Sequence, residues 1–187
     1  MRWAAAGLLL LAAGPLLAGT QERPDAQDRA ALRKAIDRAT SFKDRFDAQV
    51  WLLDMSTRLK DTIPDPHARL ELLRMVHQEA SRVHLKPELV LAVIQVESNF
   101  NRFAISGAGA RGLMQVMPFW LDELGRPNDN LFRLRTNLRF GCTILRFYLD
   151  REKGNLTRAL ARYNGSTGKH HYPDLVYSAL RQRWYRQ

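Results

Sequence analysis

The chain has a single cysteine, Cys142, so no disulfide can close within it. Its neighbours Phe140, Ile144 and Leu145 suit a small buried side chain better than a reactive thiol. Histidine is scarce too, and the one adjacent pair, His170-His171, has no cysteine or acidic cluster beside it, so a metal site is not expected. Runs that alternate apolar and polar residues between hairpin turns are missing, which leaves few strands or none. Acids are in deficit: 19 Asp and Glu face 29 Lys and Arg, for a formal charge of +10. That balance suits an anionic partner such as nucleic acid, membrane headgroups or cell-wall polymer. With no zinc-finger spacing, no aromatic ribonucleoprotein-type motif and no compact Lys/Arg block, nucleic acid is not expected.

Long apolar runs are absent except at the start. Residues 1–18, MRWAAAGLLLLAAGPLLA, hold one early Arg, a Leu/Ala run broken by Gly14-Pro15, and the small Ala18 before a polar stretch. This is the order of a secretory signal peptide, and the run is short for a membrane span. Cleavage near Ala18 implies a periplasmic or secreted protein; a retained N-terminal anchor is the alternative. Leu17-Ala18-Gly19 begins like a lipoprotein box, but Thr20 stands where the acylated cysteine belongs, so no lipid anchor is expected. The rest of the chain is long enough for one domain with a hydrophobic core.

Helical periodicity fills that length. Leu32, Ile36, Ala39, Phe42, Phe46, Val50 and Leu53 recur at steps of three and four between Asp28 and about Lys60, an amphipathic helix or two. The breaker Asp61-Thr62-Ile63-Pro64-Asp65-Pro66 comes next, with Asp65 placed to cap and Pro66 to open the next helix. The expected division is therefore a leader at 1–18, a helical extension at 19–65 and a main body at 66–187. In the body, Leu72, Leu73, Val76, Ala80 and Val83 mark one helix and Pro87 opens another that ends at Glu97. Further helices are expected near Met114 to Leu124, from Leu134 to about Leu149, from Leu156 to Tyr163 and from Leu175 to Trp184. The fold class is all-α.

Residues 91–100, LAVIQVESNF, end an apolar run on a carboxylate. At helical spacing Val90, Val93, Ile94 and Glu97 share one face, so the carboxyl sits beside a stripe meant for the core. The segment behind it, SGAGARGLMQVMP at 106–118, holds three glycines and two alanines. Such residues let backbone approach a ligand closely, and Ser106 and Gln115 could point into the opening. Farther on, Arg162-Tyr163-Asn164-Gly165 puts a phenol and an amide at a helix end before the loop STGKHHYP. Ser98 reads as a helix-end residue rather than a reactant.

Glu97-Ser98, the Ser106 to Pro118 segment with its Gly112-Leu113-Met114-Gln115, Asn137-Leu138 through Gly141, and Ala161-Arg162-Tyr163-Asn164 resemble, in this order, the motifs of the soluble lytic transglycosylase (SLT) domain family. The resemblance spans about residues 69–184. It implies a lysozyme-like α fold and cleavage of the β-1,4 bond between N-acetylmuramic acid and N-acetylglucosamine in peptidoglycan strands, by intramolecular transfer that leaves 1,6-anhydro ends. Glu97 is then the catalytic acid and base. Ser106 is expected to bond the substrate acetamido group, Gln115 and Met117 to line the sugar subsites, Tyr163 to bring its hydroxyl near the carboxyl, and Asn164 to hold sugar or loop backbone.

Read from the residues alone, the chemistry is unusual, because glycosidases normally flank the bond with two carboxylates. No Asp or Glu lies between Ser98 and Leu121, and the next, Asp122 and Glu123, are expected on a helix surface. One carboxylate suffices if the substrate supplies the nucleophile, with no metal or organic cofactor. A hydrolytic muramidase on the same fold and a non-catalytic peptidoglycan-binding assembly protein are the competing readings. A monomer is expected, with the N-terminal helix as the candidate contact to an envelope machine. Three features depart from the family pattern: Arg162 precedes Tyr-Asn, Gly165-Ser166 comes after it, and no acid lies between Asn164 and Pro173.

Overall fold

The computed structural model describes residues 45–125 and 128–185. The expected leader and the extension up to residue 44 lie outside them. The described residues form seven α-helices: α1 (Arg45–Leu59), α2 (Pro66–Arg82), α3 (Pro87–Ser98), α4 (Phe119–Leu124), α5 (Leu134–Arg151), α6 (Leu156–Tyr163) and α7 (His171–Ala179), which runs into a π-helical turn at Leu180–Trp184. No strand occurs among them; the nearest approach is two isolated bridges that join Arg111 to Ile105 and to Val116. The all-α class holds. None of these helices is long and apolar enough to cross a membrane.

The α2 start obeys the capping logic of its sequence. The Asp65 carboxylate accepts from the amides of His67 and Ala68, and Pro66 occupies the first turn, where no amide is needed. Helix α3 is apolar on every side: Leu89 to Ile94 are all buried, so it runs through the core rather than along it. Around it pack α2, α7 and the π turn. Its end is abrupt, with Asn99 at φ 45° and Phe100 at φ 66°, both left-handed. Asn tolerates that conformation, whereas for Phe it is strained. Phe100 is held there by burial and by a ring contact of 5.7 Å with Trp184.

The breaker at 61–66 separates helices but not cores. Trp51, Met55 and Leu59 of α1 are buried in the same apolar cluster as α2 to α7. Leu53, expected on the buried stripe, is 73% exposed, because it lies two residues, about 200° of helix, from the Trp51 that takes the core position. Two arginines fasten α1 to the π-helical turn reciprocally. Arg58 donates to the Arg183 carbonyl, and Arg183 donates to the Arg58 carbonyl and to Thr62 Oγ1.

Helix α5 carries a buried polar knot. Arg82 Nε lies 2.6 Å from Glu79 Oε2, and Arg82 Nη2 donates to Thr143 Oγ1 and the Arg139 carbonyl. Cys142 is fully buried beside it, its thiol pushed up first by burial and then by the Glu79 charge. That suits a packing residue rather than a nucleophile.

Candidate active site

Glu97 stands in the last turn of α3, half-buried. Protein atoms crowd its carboxyl, and loss of water disfavours the anion. Its pKa is pushed up from 4.5 to about 7, although the Tyr172 hydroxyl, donating to Oε1 at 2.7 Å, partly opposes the rise. No second carboxylate of the described residues contributes to this shift. Glu97 therefore keeps its proton to a higher pH than a glutamate in water. Both nearby phenols, Tyr163 and Tyr172, are buried and held protonated, first by burial and next by the Glu97 charge.

Tyr172 went unread in the sequence because it sits in STGKHHYP, where Pro173 suggests a loop. Helix α7 instead begins at His171, so Pro173 falls within the first helical turn, where a missing amide costs nothing. This start aims the phenol at α3. Tyr163, expected near the carboxyl, is close enough for the Glu97 charge to act on it, but its hydroxyl donates to the Met114 carbonyl at 2.7 Å. It therefore fastens the glycine-rich segment to α6.

That segment is a bridged scaffold rather than a flexible loop, and Met114 to Met117 precede the helix instead of belonging to it. Arg111 and Val116 exchange backbone hydrogen bonds, and the Gly112 amide donates to Ala104. Asn137 of α5 reaches in with its whole amide: Oδ1 accepts from the Met114 amide, and Nδ2 donates to the Arg111 and Leu131 carbonyls. A Cβ on Gly112 would fall 2.3 Å from Asn137 Nδ2, and the position has φ +75°, so both space and backbone demand glycine. Ser98 Oγ closes the frame, donating its one proton to the Leu113 carbonyl at 2.8 Å, with the Ile94 carbonyl of its own helix 3.2 Å away. The acid's helix and the scaffold are thus one unit.

Ser106 is half-buried, and its Oγ accepts from the Ala110 amide at 3.0 Å, leaving its own proton available to donate. Gln115, at φ 47°, spends its amide hydrogens on the Ala104 and Gly112 carbonyls, which leaves its oxygen as the group to offer a ligand. Met117 is half-buried against the core, and Asn164 caps the end of α6. Of the acids beyond the gap, Asp122 is exposed, but Glu123 is buried on α4, not on the surface as expected. Glu123 makes contacts there and takes no part in the Glu97 shift.

An all-α domain thus sets one carboxyl of raised pKa beside a glycine-rich scaffold. The sequence profile of the transglycosylase SLT domain matches residues 74–174, and the chain belongs to that family. It is 39% identical over 90 residues to the transglycosylase of Enterobacteria phage PRD1, covering 48% of this chain and 33% of that protein. It is 31% identical over 112 residues to the membrane-bound lytic murein transglycosylase C of Yersinia enterocolitica, covering 51% and 31% respectively. The chain thus spans about a third of the length of these curated relatives. Among solved structures it is similar to the inactive mutant of the lytic transglycosylase Slt from Pseudomonas aeruginosa, at 20% identity and a TM-score of 0.48, over 87% of this chain and 35% of that one. The 70 kDa soluble lytic transglycosylase of Escherichia coli gives 21% identity and a TM-score of 0.45, over 72% of this chain and 24% of that one.

Proposed function

We propose that the chain is a peptidoglycan lytic transglycosylase with Glu97 as its single general acid and base. The observation that carries this reading is one carboxyl pushed to about 7 with no second carboxylate acting on it. Protonated Glu97 donates to the oxygen leaving C1 of N-acetylmuramic acid, and the bond to that oxygen breaks. The resulting carboxylate takes the proton from the C6 hydroxyl of the same sugar as that oxygen attacks C1, which closes a 1,6-anhydro ring and restores the acid. No water is consumed.

The remaining residues support binding. Ser106 donates to the 2-acetamido group, the Gln115 oxygen accepts from a sugar hydroxyl, and Met117 and Asn164 border the strand. Tyr172 holds one carboxyl oxygen so that the other meets the leaving group. The protein is exported, acts on the wall from the periplasm or outside, and is a monomer whose N-terminal helix contacts envelope machinery. Mass spectrometry of digested sacculi tests the reaction. Ends lighter by one water than hydrolysed ends are expected; reducing ends alone would make the enzyme a muramidase, and no cleavage, a binding protein.

A further inference from the structure

The chain that leaves Glu97 for the glycine-rich scaffold passes first through two left-handed residues, Asn99 and Phe100. From there a relay of hydrogen bonds runs on without a break. The Asn101 amide donates to the Ser98 carbonyl and the Ala104 amide to the Asn101 carbonyl, while the Ala104 carbonyl accepts from both the Gly112 amide and Gln115 Nε2. The turn at 99–100 therefore sets the direction of the limb that carries Ser106 and holds Gln115. Asn takes a left-handed φ readily; a buried Phe takes it only where its surroundings impose it.

The π-helical turn imposes it. Trp184 is fully buried, its ring centre lies 5.7 Å from that of Phe100, and its Nε1 donates to Gln95 Oε1 at 2.8 Å. The indole thus holds the chain on both sides of the acid in sequence, at Gln95 and at Phe100. It is itself fixed, because the Arg183 guanidinium lies 4.9 Å from its ring centre and is anchored on the Arg58 carbonyl and Thr62 Oγ1. The Tyr185 amide closes the turn on the Leu180 carbonyl, a widened helical turn of the kind that accompanies functional sites. Gln95 lies two residues, about 200° of helix, from Glu97, so the bond to it is made on the other face of α3. Trp184 reaches the acid through the backbone.

Resting on the proposed reaction, we infer that Trp184, outside the 74–174 span of the family profile, is a positioning residue that acts through Phe100 to set Ser106 and Gln115 against the Glu97 carboxyl. Without the indole, Phe100 relaxes toward an ordinary φ and the limb moves. A misplacement of about 1 Å costs up to about a hundredfold in rate.

Two variants of the full chain test this. Trp184→Phe keeps a ring against Phe100 and loses the bond to Gln95; Trp184→Leu loses both. On glycan strands kcat should fall about threefold in the first and about tenfold or more in the second, with KM within about twofold of the wild type. The midpoint of kcat/KM against pH should stay at about 7, because the burial of Glu97 and its bond from Tyr172 are untouched. Variants that lose Tm but keep the wild-type kcat while folded make Trp184 a packing residue and overturn the inference. A midpoint that drops toward 4.5 also overturns it, since Trp184 would then shield the acid rather than place it. Should the Leu variant not fold, Trp184→Phe decides by the same readouts.

A further readout needs no turnover. In NMR spectra of the wild type and Trp184→Phe, the Gly112 amide and the side-chain amide of Gln115, at the end of the relay, should move, while the Arg158 amide at the cap of α6 stays. Resonances that stay at Gly112 and Gln115, or that move no more than Arg158, contradict the inference. Should the wild type cleave no glycan, the proposed reaction fails, while these resonances still decide whether Trp184 sets the limb.

Discussion

Two glutamates packed against the core, Glu79 and Glu97, show what burial alone does not decide. Glu79 Oε2 lies 2.6 Å from Arg82 Nε and 3.9 Å from Arg139 Nε, and Arg82 in turn bonds Thr143. Every charge there meets an opposite one, and the knot ties α2 to α5. Among the described residues Glu97 is met by the hydroxyl of Tyr172 and by no cation, so its anion is poorly answered and its proton is held up to about pH 7. The same residue type is structural where a guanidinium faces it and chemical where only a phenol does.

Exchanging each carboxyl for an amide separates the two. Glu97→Gln should lower the rate on sacculi about a thousandfold or more while the thermal midpoint measured below pH 4.5, where Glu97 is protonated folded and unfolded alike, stays put, since the site loses its acid but keeps its shape. A variant with more than a few per cent of activity would return Glu97 to the structural class. Glu79→Gln should do the opposite, leaving Arg82 buried without its partner, a loss of about 3–5 kcal/mol and a fall in Tm of about 10 °C. Calorimetry that finds Tm unchanged would remove the contrast.

Smaller changes sharpen it. Tyr172→Phe deletes the one donor on the carboxyl, so kcat should fall about tenfold. Because that bond lowers the pKa of Glu97, its loss should move the titration upward, and a pH profile shifted downward would show that another group holds the acid. Ser98→Ala should cost only about 1 kcal/mol in denaturant unfolding, as the scaffold keeps its Asn137 and Tyr163 ties.

Stability should carry the same signature. Glu97 binds its proton more tightly folded than unfolded, so its contribution is full below pH 4.5 and is lost as pH rises through about 7. The wild type should lose stability over that window relative to Glu97→Gln, and parallel curves would place the carboxyl in water.

The parts legible in the sequence are those written in local chemistry. Asp65-Pro66 announces α2, the stripe leading to Glu97 announces a carboxyl against apolar surface, and Gly112 of the glycine-rich segment marks close backbone approach. What was missed depends on distant geometry or on choices between equal local options. Tyr172 is 75 residues from Glu97, and Pro173 reads equally as a loop or a first helical turn. Glu123 and Leu53 exchanged expected exposure because larger neighbours, and not periodicity alone, decide which face of a helix is buried. That Gln115 uses its nitrogen on backbone, leaving only its oxygen, results from a left-handed φ that periodicity does not encode.

The most direct test of a single working carboxyl is the dependence of kcat/KM on pH, measured on purified sacculi. Since the reaction begins by giving away the Glu97 proton, the rate should fall as pH rises with a midpoint of about 7. A midpoint near 4.5, the value of an unperturbed glutamate, would show that Glu97 sits in water and would contradict the account of a desolvated acid.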